Sequence, residues 1–201
     1  MRIFYTADLH LGHARINELS GRPFSSVEAM NAALIKRWNS RVGPDDHVYV
    51  LGDVCMGRLD ESLALIKLLH GRKLLVVGNH DRPFTDDAVK RQAASKRYFD
   101  AGFDAIGYQW LGQTLRNSQR VLLCHFPYQG DSHDVDRYVD RRPPDDGKTW
   151  LLHGHVHEAW RQRGRQINVG VDAWAGAPVP QETISEMISA GEQELPPRTW
   201  A

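Results

Sequence analysis

Five short apolar runs in this chain lead directly into aspartate, asparagine or histidine. The polar residues at the five run ends are, in chain order, Asp8 and His10, Asp53, residues 79–81, His125, and residues 153–157. Short apolar runs rich in valine, leucine and tyrosine predict buried strands. In open α/β sheets the carboxyl ends of the strands border one crevice, so five such ends can converge on a single site. The sequence therefore predicts a layered α/β domain with a polar site at its strand ends.

Each of these residues has a structural explanation when it is taken alone. An aspartate after a strand more often caps the next helix, and a single histidine there is more often a satisfied polar residue. Five coincident strand ends are much harder to explain in that way. Seven oxygen and imidazole ligands without a thiolate suit divalent manganese, iron, nickel or zinc. Seven ligands exceed the need of one tetrahedral ion, which indicates a two-metal hydrolytic site.

The order of the polar blocks resembles that of the calcineurin-like metallophosphoesterase superfamily. The blocks are D-x-H at residues 8–10, G-D at residues 52–53, G-N-H-D at residues 78–81, His125, and G-H-x-H at residues 154–157. A lone G-N-H-D would be weak evidence, but all five blocks occur here in the family order. The resemblance implies a single small domain over residues 1–201. Its fold would be a four-layer α/β/β/α sandwich of two mixed β-sheets flanked by helices.

The resemblance also implies a role for each block. The residues expected to bind two divalent metal ions are Asp8, His10, Asp53, Asn79, His125, His155 and His157. The first ion is expected at Asp8, His10 and His157, and the second at Asn79, His125 and His155. Asp53 would bridge the two ions. Manganese is the expected metal, with iron, nickel or zinc as alternatives.

His80 is implied to be the catalytic residue, facing the substrate without binding metal. Some family members carry an aspartate shortly after the G-D block that orients this histidine. Here Asp60 follows Asp53 by seven residues, which is too far to make it an obvious equivalent. Asp81 is adjacent in sequence but can point away into the loop. The residue that orients His80 therefore stays open.

Several other polar residues are weaker candidates. His13 is more simply a surface histidine, and His153 more simply a packing residue. Asn168 and Asp172 could support the ligating histidines from behind. Four arginines follow the motif blocks and could bind phosphate oxygens. They are Arg15, Arg22, Arg58 and Arg82.

The remaining elements follow from hydrophobic spacing and from helix start and stop signals. Strands are predicted at residues 2–7, 47–51, 74–77, 105–115, 120–124, 149–152 and 166–169. Helices are predicted from a capping box at residues 25–28 to Gly43, from Asp60 to Gly71, at residues 86–98 and at residues 180–190. The tail, residues 191–201, is expected to be loosely held. Residues 130–148 are too polar for a core and predict a long functional or disordered loop.

The expected function is hydrolysis of phosphate esters by attack of a metal-bound hydroxide on phosphorus, with His80 assisting the leaving group. The short loops at residues 11–24 and 126–148 would leave an open cleft, which favours a phosphodiesterase that acts on small or nucleotide-like diesters. A phosphomonoesterase or a nuclease would use the same chemistry. A non-catalytic metal-binding scaffold is the alternative from another class, but scaffolds of this fold are expected to lose ligands.

Charge and composition limit the partners. Lys and Arg together number 25, as do Asp and Glu, so no net field attracts nucleic acid or an anionic membrane. The expected partner is a small phosphoester such as a nucleotide, with no stable nucleic-acid partner and no membrane. The apolar runs are far shorter than the roughly 20 residues of a membrane span. Two cysteines without a CxxC spacing and an N-terminus without a signal-peptide pattern predict a cytoplasmic protein.

Overall fold

A computed structural model describes residues 1–200, which form two β-sheets with five α-helices. The strands are β1 (Ile3–Thr6), β2 (His47–Val50), β3 (Arg72–Val76), β4 (Phe103–Gly107), β5 (Leu111–Thr114), β6 (Arg120–Leu123), β7 (Trp150–His153), β8 (Gln162–Gly164), β9 (Gln166–Asn168), β10 (Val179–Pro180) and β11 (Gln193–Leu195). The helices are α1 (Ile16–Leu19), α2 (Val27–Asn39), α3 (Leu59–Ala64), α4 (Ala88–Ala101) and α5 (Gln181–Ala190).

The first sheet has the strand order β10-β1-β2-β3-β4. Strands β1 to β4 are parallel, and the short β10 pairs with β1 in the antiparallel sense. One face of this sheet packs against the helices, where Met30, Leu34 and Trp38 of α2 and Tyr98 of α4 are buried. Because β1 to β3 run in the same direction, their carboxyl ends lie at one edge of the sheet.

The second sheet has the strand order β11-β8-β9-β7-β6-β5 and is also mixed. Parallel pairs join β6, β7 and β9, and antiparallel pairs join the other neighbours. Alternate side chains of both sheets form one shared core, which contains Tyr5 and Val76 of the first sheet and Leu123 and Leu152 of the second. The expected arrangement of two mixed sheets flanked by helices is confirmed.

Helix ends follow the local signals in the sequence. Ser26 caps α2, because its hydroxyl accepts the backbone N–H of Ala29 at 3.1 Å. Asp87 caps α4, and Gly102 ends that helix in the left-handed conformation. The helix predicted after Asp60 is shorter than expected, because α3 ends at Ala64 and the chain continues as a 3₁₀ turn over Leu65–Leu68.

Two expectations differ from the structure. The single strand predicted at residues 105–115 is two strands in different sheets, because the chain leaves β4 at Gly107 and enters β5 at Leu111. Residues 191–200 of the tail contact the rest of the fold instead of being loosely held, and residue 201 lies outside the described residues. Strand β11 pairs with β8, and the ring of Trp200 packs edge-on against Phe24 with centroids 5.5 Å apart. Within residues 1–200, no helix is long and apolar enough to cross a membrane.

Candidate metal centre

The predicted ligands meet where the carboxyl ends of the two sheets face each other. Asp8 and His10 follow β1, Asp53 follows β2, and Asn79 follows β3. The second sheet contributes the other three, with His125 after β6 and His155 and His157 after β7. Side-chain and backbone contacts link the two sets, since the backbone N–H of His155 donates to both carboxylate oxygens of Asp8 at 3.1 and 3.0 Å.

The backbone at these positions is strained. Five of the predicted ligands have φ in the left-handed region, namely Asp8 (56°), His10 (49°), Asp53 (55°), His155 (72°) and His157 (48°). Such a conformation costs of order 1–3 kcal/mol for a non-glycine residue, and it persists only where surrounding contacts enforce it. The strain turns each side chain out of its strand direction and towards the common centre.

Gly52 and Gly78 let the loops after β2 and β3 touch. A Cβ atom on Gly52 would lie 2.5 Å from Nδ1 of His125 and 2.6 Å from Cα of Gly78. A Cβ atom on Gly78 would lie 2.4 Å from Oδ1 of Asp53. Both positions therefore require glycine, which explains the glycine before Asp53 and the glycine before Asn79.

One cluster of potential ligand atoms comprises Asp8, His10 and His157, with all three atoms within 4.8 Å of one another. His10 is 1% exposed, and neither of its ring nitrogens has a hydrogen-bond partner among the described residues. Nδ1 of His157 lies 2.9 Å from Oδ2 of Asp172, which leaves Nε2 for a ligand. A buried imidazole without a partner is costly, so His10 is placed as a metal ligand would be.

A second cluster comprises Asp8, Asp53 and His125. Nδ1 of His125 is 2.8 Å from the Leu51 carbonyl oxygen, while Nε2 lies 3.4 Å from Oδ2 of Asp53. The same Asp53 oxygen is 3.7 Å from Nε2 of His10. Asp53 therefore stands between the two histidines, as a bridging carboxylate would.

Asn79 lies beside the second cluster. Its side-chain oxygen is 3.0 Å from Nε2 of His125 and 3.1 Å from Nδ1 of His155. The Asn79 oxygen, Nε2 of His125 and Nδ1 of His155 are therefore three potential ligand atoms that lie close together. These are the three residues expected to share the second ion.

The electrostatics of the centre fit a divalent cation. Burial raises the pKa of Asp8 to about 6, and burial together with the Asp81 carboxylate raises the pKa of Asp53. Burial lowers the pKa of His10 and that of His125. Closely spaced buried carboxylates gain most from a cation, and neutral imidazoles are the form that binds metal. The donor set therefore fits a dinuclear divalent metal centre.

Asp81 contacts the backbone of the loops that carry the predicted ligands. The suggestion that it points away into the loop is therefore wrong. The residue is 2% exposed. Its carboxylate accepts the backbone N–H groups of Asp53, Val54 and Gly78 at 2.9, 3.1 and 2.8 Å. Asp81 thereby holds the loop after β2 against the loop after β3 and fixes the position of Asp53.

Asp131 is a functional residue that sequence reasoning missed. Its carboxylate lies 3.0 Å from Nε2 of His155, on the side of the ring opposite Asn79. Arg137 donates to both oxygens of Asp131, with the shortest contact at 2.7 Å. Because such a carboxylate fixes the tautomer of a ligating histidine, Asp131 orients His155. The only signal in the sequence was its place in the long polar loop.

Arg22 is a structural residue and not a phosphate ligand. It is 3% exposed and forms a two-bond ion pair with Asp172 at 2.7 and 2.9 Å. It also donates to the backbone carbonyls of Asp8 and Leu9 at 2.7 and 3.0 Å. Arg22 thus fixes the loop that follows β1, and Asp172 fixes His157. Asn168 supports the same region, because its amide donates to the carbonyls of His157 and Trp160 at 2.8 Å.

His80 stands at the open side of the centre. Its side chain is 41% exposed, and its Nε2 lies 3.9 Å from Oδ2 of Asp53. The backbone N–H donates to Oδ1 of Asp53 at 2.9 Å, and the ring packs edge-on against His10 with centroids 5.4 Å apart. Asp60 forms an ion pair with Arg97 on the surface and does not orient His80. Ring packing and the backbone contact orient it instead.

The metal cleft, about 280 Å³ in volume, opens over these residues. It is lined by His10, His13, Ile16, Leu19, Ser20, Asp53, Asn79, His80, Ser132, His133, Arg137, His155, His157 and Glu158. His13 thus faces the cleft and is not merely a surface residue, and its Nδ1 accepts the backbone N–H of Arg15 at 3.1 Å. His153 is fully buried, with Nδ1 2.8 Å from the Gly154 carbonyl oxygen, in agreement with a packing role.

Comparison with known proteins gives the following matches. A family model described as calcineurin-like phosphoesterase matches residues 1–186. The Gene 66 protein of Mycobacterium phage L5 is 38% identical over 202 residues, covering 95% of this chain and 96% of that protein. An uncharacterized protein of Methanocaldococcus jannaschii is 29% identical over 200 residues, covering 95% and 93%. The crystal structure of a protein of unknown function from Aquifex aeolicus has a TM-score of 0.69 and 26% identity, covering 92% and 98%.

Proposed function

Since this chain belongs to the calcineurin-like phosphoesterases, we propose that it is a phosphodiesterase that hydrolyses small, nucleotide-like diesters. The family supports a metal-dependent hydrolase of phosphate esters. The preference for diesters, the identity of the metal and the roles of individual residues are our proposals.

We assign one metal position to Asp8, His10 and His157 and the other to Asn79, His125 and His155, with Asp53 shared. The supporting observation is the position of Asp53, whose Oδ2 lies 3.7 Å from His10 and 3.4 Å from His125. Bound divalent ions would supply Lewis-acid stabilisation of the phosphoryl charge and would acidify a water molecule. Manganese is our first choice, because a mixed oxygen and imidazole donor set without thiolate suits it, as it also suits iron, nickel and zinc.

His80 acts on the leaving oxygen in this proposal. A water molecule loses one proton to solvent, and the resulting hydroxide oxygen forms a new bond to phosphorus. The bond from phosphorus to one ester oxygen breaks, and that oxygen receives a proton or a hydrogen bond from His80. His80 suits this role because its ring is exposed to the cleft while its backbone is fixed to Asp53. A positioned proton donor is typically worth 10²–10⁴-fold in rate.

The observation that carries the diester preference is the open metal cleft. Short segments border it, namely residues 13–20, which include α1, on one side and residues 132–137 on the other. A closed pocket would exclude the second ester arm, whereas this cleft leaves room for it. The zero net charge of the chain favours a small substrate over a nucleic-acid polymer. We also infer a cytoplasmic location, since Cys55 and Cys124 are both free and buried.

The test is a pair of saturation curves measured with Mn²⁺, one with bis-p-nitrophenyl phosphate and one with p-nitrophenyl phosphate. We expect a higher kcat/KM for the diester and no turnover after chelation. A higher kcat/KM for the monoester would overturn the diester preference and favour a phosphomonoesterase. The absence of metal-dependent turnover with either substrate would favour a non-catalytic metal-binding scaffold.

A further inference from the structure

A second cleft lies on the other side of His80 from the metal cleft. This distal cleft has a volume of about 470 Å³. It is lined by Cys55, Met56, Gly57, Leu59, Asn79, His80, Asp81, Arg82, Phe84 and Thr85. Asn79 and His80 line both clefts, so His80 forms part of the wall between them. Of the seven predicted ligands, the distal cleft shares only Asn79.

The lining of the distal cleft suits an organic group. Met56, Leu59 and Phe84 are partly buried and supply the apolar part of a mixed polar and apolar lining. Arg82 is exposed, and within residues 1–200 its guanidinium has no hydrogen bond, ion pair or aromatic contact. A mixed lining of apolar side chains beside a free guanidinium suits a planar, partly polar group, because a guanidinium can stack on such a ring or bind its acceptor atoms. The volume is within the range of ordinary small-ligand pockets.

From this arrangement we infer that the distal cleft binds the leaving arm of the substrate and that this arm is nucleoside-like. The inference rests on the proposed function, because a phosphoryl group held over the ligands would occupy the metal cleft. The group that assists the leaving oxygen must touch it, and His80 faces both clefts. The ester arm that departs past His80 therefore enters the space lined by Met56, Phe84 and Arg82.

Met56 is a position at which a larger side chain can fill the cleft. The backbone there is fixed, since the N–H of Met56 donates to the Leu11 carbonyl and its own carbonyl accepts the Ser62 hydroxyl. A larger side chain at Met56 would change the cleft and not the course of the chain. Leu68→Trp is the matched control, because Leu68 is 54% exposed and lines neither cleft.

The first measurement is binding of thymidine, a surrogate for the leaving arm, followed by ligand-observed NMR. Thymidine should bind the wild-type protein, and Met56→Trp should weaken it by about tenfold or more through steric exclusion. Arg82→Gln should weaken it about two- to fivefold, the range expected for one exposed guanidinium contact. Leu68→Trp should leave it unchanged. Thymidine that fails to bind the wild type, or that binds Met56→Trp equally well, would overturn the inference.

The second measurement compares two diesters that differ in the size of the leaving arm. Met56→Trp should reduce kcat/KM about tenfold more for dithymidine monophosphate than for bis-p-nitrophenyl phosphate. Met56→Phe, a smaller enlargement, should show the same selective loss to a lesser degree and serves as the check if Met56→Trp does not fold. Leu68→Trp should retain both activities. An equal loss on both substrates would contradict a leaving-arm site. A wild-type protein that binds thymidine but cleaves neither diester would refute the proposed function and leave the nucleoside site intact.

Discussion

Nδ1 of His157 lies 2.9 Å from Oδ2 of Asp172. The contact occupies Nδ1 and leaves Nε2 for a ligand, and a carboxylate in this position makes an imidazole a better ligand. Burial opposes charge on His157, but the hydrogen bond to Asp172 and the nearby Asp8 carboxylate outweigh it and raise the pKa of His157 to about 9. Asp172 therefore sets both the orientation and the pKa of His157, which is a predicted metal ligand.

Asp172→Asn should lower the affinity for one of the two metal ions by about 10–100-fold, because the amide keeps the shape but not the charge of the partner. Competition with a metal chelator would measure the change. Asp104→Asn is the control, since Asp104 is a half-exposed carboxylate paired with Arg72. Equal affinities in the wild type and Asp172→Asn would show that the carboxylate does not tune His157.

Arg22→Met should destabilise the fold by about 3–5 kcal/mol, because it removes the guanidinium from the buried Asp172 carboxylate and leaves only His157 beside it. Both side chains of this ion pair are fully buried. Urea unfolding of the metal-free protein would measure the loss. Arg58→Met removes an exposed pair with Glu61 and should cost less than about 1 kcal/mol. Similar losses in the two variants would mean that the buried pair contributes no more than a surface pair.

Asp53→Ala should abolish turnover and reduce the bound metal, because Asp53 is the residue proposed to touch both ions. The fold should survive, since the pKa of Asp53 is raised and an ionised carboxylate at that position is itself unfavourable without a cation. Elemental analysis and circular dichroism would be measured on the same sample. Turnover near the wild-type level would eliminate the two-metal assignment.

His80→Ala should keep both metal ions and lose most of its turnover. The loss should be smallest with p-nitrophenolate leaving groups, which need little protonation, and larger with alkoxide leaving groups. The measurement is kcat with both substrate types, alongside metal content by elemental analysis. Loss of one full equivalent of metal would instead identify His80 as a ligand.

Asp46→Asn should destabilise the fold at neutral pH and not at pH 2. Burial alone would raise the pKa of Asp46, but hydrogen bonds from the backbone of Gly43 and Arg2 and the ion pair with Arg2 lower it to about 2. A depressed pKa contributes stability above the unfolded value, and this stability is lost as the pH falls from about 4 to 2. We expect a difference of about 1–2 kcal/mol at pH 7, because Arg2 is largely exposed.

Urea unfolding of the wild type and of Asp46→Asn at several pH values between 2 and 7 would test this. The two unfolding midpoints should converge as the pH approaches 2. A constant difference across that range would show that the introduced amide disrupts packing and that charge is not the cause.

The strand ends and the residues that follow them could be predicted from the sequence because both signals are local. An apolar run such as residues 74–77 predicts β3, and the polar residues after it must lie at the end of the sheet. The C-terminal half was less predictable. The run over residues 105–115 has no strong turn signal at Tyr108, yet there the chain passes from one sheet to the other.

The supporting contacts could be predicted only in part. Asp172 could be suggested as a support of the ligating histidines, but Asp131 and the pairing of Arg22 with Asp172 could not, because these contacts join residues that are far apart in the sequence. Asp172 meets Arg22 across 150 residues, and Asp131 meets His155 across 24. Each of these side chains also has a plausible surface role when it is considered alone. Only the folded chain shows that Arg22 is buried.

The division of the ligands between the two sheets has a consequence for assembly. The cluster of Asp8, His10 and His157 and the cluster of Asp8, Asp53 and His125 each take two residues from the first sheet and one from the second. A nascent chain that has not yet reached His125 therefore offers neither cluster. Two half-folded sheets that have not docked offer neither cluster either. With the ligands proposed above, tight metal retention would therefore report that the two halves of the molecule have come together, and the metal content of a preparation would measure its correctly assembled fraction.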